Sequence, residues 1–177
     1  MRIRFSSIVR FLVVLSLTAV CAGGIFEKAE YELRRAKLMK SIPDGIALFV
    51  GAEGEKQNSN FIYFTGVEEP DCILIIDGMK KENILFVPDI ASEEKISEET
   101  GIEKVVPVSH LGRMLFALQA ETDNIYTPFN RDDAGYEPKG LIDPSHRLSR
   151  EVNFLNQIRK NFPSYRFIDL NRAIAEL

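Results

Sequence analysis

An α/β fold with a mixed β-sheet is what these 177 residues predict, and three observations carry the prediction. Ile46-Ala47-Leu48-Phe49-Val50 and Cys72-Ile73-Leu74-Ile75-Ile76 are continuous apolar runs of strand length, the form expected of strands covered on both faces. Segments with apolar residues at helical spacing alternate with these runs and with shorter ones, as in a layered α/β sandwich. The short polar connection from Gly78 to Glu82 joins Cys72–Ile76 to Asn83–Val87 as a hairpin, which brings antiparallel pairing into the sheet. With 45% hydrophobic and 27% charged residues, a chain of this length buries one core, so a single domain is expected.

The elements follow in order. Residues 1–22 read as a secretory signal peptide: Arg2, Arg4 and Arg10 form a basic start, Phe11 to Val20 is apolar, and Val20-Cys21-Ala22 suits a cut after Ala22. The uncharged run reaches Phe26 and weakens at Gly23-Gly24, short of the ~20 apolar residues of a spanning helix. A lipid anchor on Cys21 is the lesser alternative, because Val20 stands where lipoprotein signals place a smaller residue. The expectation is therefore export to the periplasm or the extracellular space, with the domain occupying residues 27–177.

Glu27 to Ser41 predicts an amphipathic helix with Ala29, Leu33, Ala36, Leu38 and Met39 apolar, Glu30 four residues before Arg34, and Pro43 closing it. Ile46–Val50 predicts a central strand, and Gly51–Asn60 a polar loop. Phe61-Ile62-Tyr63-Phe64 then reads as an aromatic strand ended by a Thr65-Gly66 turn. After the hairpin, Ser92 is a candidate cap for an acidic helix to Thr100, stopped by Gly101. Val105-Val106 is a short strand, Ser109 a cap for a helix through Ala120, and Asn124–Thr127 another short strand. Phe129–Ser149 lacks periodicity and reads as a long loop; a helix follows from Ser149 to about Lys160, and Asp169 caps a last one from Leu170 to Leu177.

Charge narrows the function. Removal of residues 1–22 takes three arginines and no acid from 22 basic and 26 acidic side chains, leaving 19 against 26 and a net charge of −7. That balance excludes a basic footprint for nucleic acid. The doublets Arg34-Arg35 and Lys80-Lys81 sit among acids and read as solvated positions. Only Cys72 remains beyond the signal, so no intramolecular disulfide forms, and its apolar run marks it as a small buried hydrophobe.

No catalytic, cofactor-binding or metal residue is assigned. His110 and His146 form neither a helical pair nor a cluster with other donors, so each reads as a surface or capping histidine. The carboxylates of Glu68, Glu69 and Asp71 around Pro70 suit a structural corner, or a polar edge facing another domain or subunit. The Phe61–Phe64 aromatics suit core packing. No phosphate loop, nucleophile elbow or dinucleotide fingerprint occurs.

Asn60-Phe61-Ile62-Tyr63-Phe64-Thr65-Gly66, Glu69-Pro70-Asp71 and Leu85-Phe86-Val87-Pro88, with Arg34-Arg35 and Ile42-Pro43-Asp44-Gly45, together resemble the N-terminal domain of aminopeptidase P, the Xaa-Pro aminopeptidase branch of the creatinase and prolidase family. The resemblance covers nearly all of Ala29 to Leu177 and implies a mixed sheet flanked by helices on both faces. In that family a C-terminal pita-bread domain binds two divalent metals, commonly manganese, through two Asp, one His and two Glu. A metal-bound water there attacks the peptide bond before proline. None of those ligand motifs matches a position in this sequence.

The resemblance therefore implies a non-catalytic domain, with manganese expected only in a separate catalytic domain. Because the sequence stops at Leu177, a truncated or split product of an exported Xaa-Pro aminopeptidase is expected. It implies three sorts of partner: a C-terminal pita-bread domain or homologous subunits, short proline-containing peptides in the assembled enzyme, and a homo-oligomer. A free-standing exported binding module without peptidase activity is the alternative, and an independent hydrolase using local carboxylates a third reading without a positioned nucleophile or acid/base pair.

Overall fold

The computed structural model describes residues 23–51, 58–88, 93–128 and 150–176. The expected signal peptide, the 129–149 loop, the Ser92 cap, Cys21 and His146 lie outside them. Six strands form one mixed sheet in the order β4-β3-β2-β1-β5-β6. They are β1 (Ile46–Val50), β2 (Ile73–Asp77), β3 (Glu82–Val87), β4 (Lys104–Pro107), β5 (Asn124–Thr127) and β6 (Arg166–Asp169). The helices are α1 (Gly23–Ser41), α2 (Ser59–Thr65), α3 (Glu93–Thr100), α4 (Leu111–Leu118), α5 (Arg150–Asn161) and α6 (Asn171–Ala175).

Only β2 runs against the others: it is antiparallel to β1 and β3, whereas β1–β5, β3–β4 and β5–β6 are parallel. Leu48 stands opposite Ile75, and Ile75 opposite Ile84, so the apolar runs are in register at the centre of the sheet. Every residue of β1 and β2 is buried, as continuous apolar strands require. Alternation then divides the core. Ala47, Phe49, Leu74, Ile76, Leu85 and Val87 face α1, α2, α3 and α6, while Ile46, Leu48, Ile73, Ile75, Ile84 and Phe86 face α4 and α5.

The two helices that connect neighbouring parallel strands explain why both faces are covered. The chain leaves β3 for β4 in one direction along the sheet and β5 for β6 in the other. Right-handed crossovers that depart in opposite directions lie on opposite faces. Accordingly Ile96 of α3 joins one core, and Leu155 and Ile158 of α5 the other.

Three expectations are corrected, and one strand is added. Phe61–Phe64 is helix, because the Asn58 side chain accepts from the backbone N–H groups of Asn60 and Phe61 at 3.1 and 3.2 Å and starts α2. Phe61, Phe64 and Thr65 then turn inward at helical spacing, and this packing overrides the strand preference of aromatics. Ser109 does not cap α4: a 3₁₀ turn over Val108–His110 intervenes and Ser109 is exposed. β6 was not anticipated, since Arg166-Phe167-Ile168-Asp169 is a short edge strand with no apolar run. On α1, Ala29, Leu33 and Ala36 point outward, and Arg35 packs inward beside Leu38 and Met39.

Candidate functional site

Among the described residues, the most unusual chemistry lies where α1 crosses the ends of α2 and α3. Arg35 is 1% exposed, in the centre of the apolar face of α1. Its two terminal nitrogens donate to the carbonyls of Phe64 and Thr100, each at 2.7 Å. Each carbonyl lies in the last turn of its helix, where backbone oxygens lack intrahelical partners and carry the negative end of the helix dipole. A single guanidinium thus satisfies two helix termini. Burial lowers its pKa to about 10, against the opposing influence of Glu32, so Arg35 stays charged at neutral pH. Its expected place at a solvated position is corrected here.

The two helix ends share one construction. Thr65 Oγ1 donates to Phe61 O at 2.8 Å and accepts from Val67 N at 3.0 Å. Thr100 Oγ1 donates to Ile96 O at 2.7 Å and accepts from Ile102 N at 3.1 Å. The next residues, Gly66 and Gly101, take φ of 71° and 70° and close each helix in the left-handed region that glycine tolerates best. α1 lines both ends, since a Cβ on Gly66 would lie 2.6 Å from the Tyr31 ring and one on Gly101 would meet the Glu32 carboxylate.

Arg34 extends the junction to the surface. Its Nε donates to Glu30 at 3.0 Å and its NH1 to Tyr63 O at 3.0 Å. The guanidinium lies 4.2 Å from the Tyr63 ring centroid and 5.6 Å from that of Tyr31.

The Glu68–Asp71 corner precedes β2 and faces the end of the sheet where the parallel strands terminate. Glu68 is exposed, Glu69 and Asp71 are half-buried, and Asp71 adopts φ of 65°. Cys72 follows, fully buried, with its thiol pushed up to about 12 by burial and then by Glu69. A thiol so held is not a nucleophile at neutral pH. Near the same edge Asn58 donates to Glu151 at 3.4 Å.

At the opposite edge, Asp44 fastens β1 to β5. Its carboxylate accepts from Tyr126 OH at 2.7 Å and Asn124 Nδ2 at 2.8 Å, and its carbonyl accepts from Thr122 Oγ1 at 2.7 Å. The Tyr126 hydroxyl is pushed up to about 12 by burial and by its bond to Asp44, which suits a clamp rather than a proton donor. Sequence reading missed this cluster, although Pro43-Asp44-Gly45 was visible as a motif.

His110 is exposed at the end of the 3₁₀ turn, with no side-chain hydrogen bond to α4. Among the described residues no group of three or more His, Cys, Asp or Glu side chains converges as a metal site requires. None of the described helices is long and apolar enough to cross a membrane. What the described side chains form is a junction of helix ends and two polar edges, an arrangement suited to holding surfaces together.

Comparison with known proteins agrees with this architecture. A family model described as aminopeptidase P, N-terminal domain, matches residues 31–126. The Xaa-Pro aminopeptidase of Escherichia coli K12 is 26% identical over an alignment of 124 residues, with 56% of this chain and 28% of that protein covered. A Bacillus anthracis protein assigned as an aminopeptidase P superposes with a TM-score of 0.66 at 20% identity, covering 85% of this chain and 40% of that one. Aminopeptidase P from E. coli with the inhibitor Pro-Leu gives 0.54 at 23%, covering 83% and 37%. Icp55 from Saccharomyces cerevisiae gives 0.58 at 17%, covering 84% and 32%.

The chain thus spans well under half the length of each relative, and the structural likeness at these identities establishes the fold. The family match runs from Tyr31 in α1 to Tyr126 in β5 and includes the Arg35 junction, both Thr-Gly helix ends and the Asp44 clamp. With more than half of its residues matched, the chain belongs to the aminopeptidase P N-terminal domain family.

Proposed function

We propose that this chain acts as the non-catalytic N-terminal domain of an exported Xaa-Pro aminopeptidase, shaping peptide access to a metal-bearing catalytic domain and helping the enzyme assemble. The observation that carries this reading is the family match over residues 31–126, laid on a sheet whose described polar clusters fasten secondary structure to secondary structure. The paired manganese ions of the family would need a convergent set of anionic and imidazole donors. The described residues offer no such set, so no hydrolytic step is assigned to them; in this reading the ions would be held by the partner domain. Export rests on the basic start and apolar run of residues 1–22.

The test is an activity assay of a candidate catalytic-domain partner from the same genome, with manganese, in the presence and absence of this chain. Addition of the chain should lower kcat/KM for long Xaa-Pro peptides relative to short ones. An unchanged ratio, with no binding between the two chains, would contradict the reading and favour a free-standing binding module. Intact mass of the exported chain checks the expected cut after Ala22.

A further inference from the structure

The two helical layers on the sheet present different surfaces to solvent. In the layer of α1 and α3, α3 alone exposes Glu93, Glu94, Glu98 and Glu99. In the layer of α4 and α5 the one helical acid, Glu151, is half-buried, and the exposed charges Arg113, Arg159 and Lys160 are all basic. The chain as a whole has a net charge of −4, so this layer runs against its average.

Phe116 stands out from α4 at 71% exposed, three residues after Arg113. Gly112, one turn before Phe116, is also exposed, and a Cβ there would meet nothing within 4 Å. No contact among the described residues therefore calls for glycine, which weakens a helix relative to alanine. A missing side chain beside an exposed ring leaves room for the backbone of a neighbour to come close.

We propose that the α4–α5 layer is the face on which the catalytic-domain partner docks. Phe116 enters an apolar recess of that partner, the partner's backbone passes over Gly112, and its carboxylates stand opposite Arg113 and Lys160. The inference deepens the proposed function and rests on it. The comparisons choose the occupant: this chain covers 40% or less of each solved relative, so a body larger than this domain adjoins the fold in those proteins. Composition chooses the face, because interface cores are poor in Glu, Asp and Lys and rich in aromatic residues and Arg. That description fits the outward side of α4 and excludes that of α3. Charge sets the partner's chemistry as an acidic rim around an apolar centre.

The test is calorimetric titration of the purified chain with a manganese-loaded candidate catalytic domain from the same genome, with circular dichroism confirming that each variant is folded. Phe116→Glu should weaken binding by about tenfold or more, since it sets a charge into the recess. Gly112→Leu should also weaken it by about fivefold or more, while leaving the Tm of the free chain unchanged or raised, because the space above Gly112 is empty until the partner arrives. Lys160→Glu should weaken binding by roughly twofold to fivefold, with a smaller loss at high salt. Glu98→Lys on the opposite layer should leave affinity within about twofold of the original.

Binding that persists unchanged through Phe116→Glu and Gly112→Leu would overturn the assignment of the face. If the same complex still altered peptide selectivity, the proposed function would stand and only the docking face would move. Self-association lost through Phe116→Glu, with partner binding intact, would give the face to a second copy and overturn the inference. No binding by the unaltered chain would overturn the inference together with the reading on which it rests.

Discussion

Each face of α1 breaks the usual arrangement in one place: an arginine lies among the apolar residues that face the core, and a leucine with two alanines lies among the charged residues that face water. The inward face is decided by what lies beneath it, the open carbonyl ends of α2 and α3, which an apolar side chain would leave unpaired. On the outward face Leu33 stands half exposed. The difference teaches that hydrophobic periodicity locates the core only where the core is entirely apolar. Where a helix must satisfy polar groups as well, the inward position goes to a residue that carries both a long apolar stem and donors.

The comparison breaks first at Arg35. Arg35→Ala would leave Phe64 O and Thr100 O buried without donors and open a void, at a cost of about 3–5 kcal/mol in urea unfolding. Arg35→Lys should recover only part of this, because one ammonium does not reproduce the fork that reaches both carbonyls. A loss below about 1 kcal/mol for Arg35→Ala would mean that the junction is ornamental.

Alkaline unfolding probes both sides of the sheet, since Cys72 lies in the core under α1 and α2 and Tyr165 in the core under α4 and α5. Cys72 is held at about 12 against 9.0 for a free thiol, and Tyr165, buried beneath α4, at about 12 against 10.0. Both are raised in the folded state, so their stabilising contributions are complete below pH 9 and are lost as pH rises toward 12. Arg35, lowered to about 10, acts in the opposite sense above that pH. Stability measured from pH 8 to 11 should therefore fall, by up to ~1.4 kcal/mol per pH unit for each raised group, and Cys72→Ala should flatten the curve.

The matching helix ends allow a finer test. Gly66→Ala and Gly101→Ala each force a Cβ into the left-handed region, at a cost of about 1–2 kcal/mol. Gly66→Ala should cost more, because its Cβ meets the rigid Tyr31 ring while that of Gly101 meets a flexible Glu32 chain. On the outward face, Leu33→Ala should change the monomer's stability by no more than about 0.5 kcal/mol in thermal melts, the ordinary range for surface positions.

Much of the fold was legible. Ile46–Val50, the β2–β3 hairpin, the acidic helix ending at Gly101 and the strands at Val105 and Asn124 all declare themselves by apolar runs or by turn residues. The α2 helix was not legible through its aromatics, which favour strands, but a local signal was present. Thr65-Gly66-Val67 repeats the grammar of Thr100-Gly101-Ile102, and the second was read as a helix end while the first was taken for a strand turn. β6 escaped because a parallel edge strand of four residues acquires its meaning from β5 alone. Arg35 escaped because its partners are backbone carbonyls 29 and 65 residues away, which no side-chain pattern announces.

In the proposed function the domain organises surfaces and leaves peptide hydrolysis to a partner. The most direct measurement is release of the N-terminal residue from an Xaa-Pro peptide by the purified chain with manganese. The rate should equal that of buffer with manganese, and should be unaffected by Arg35→Lys. Turnover above that background, retained through purification to homogeneity, would contradict the account and require a catalytic site within this chain.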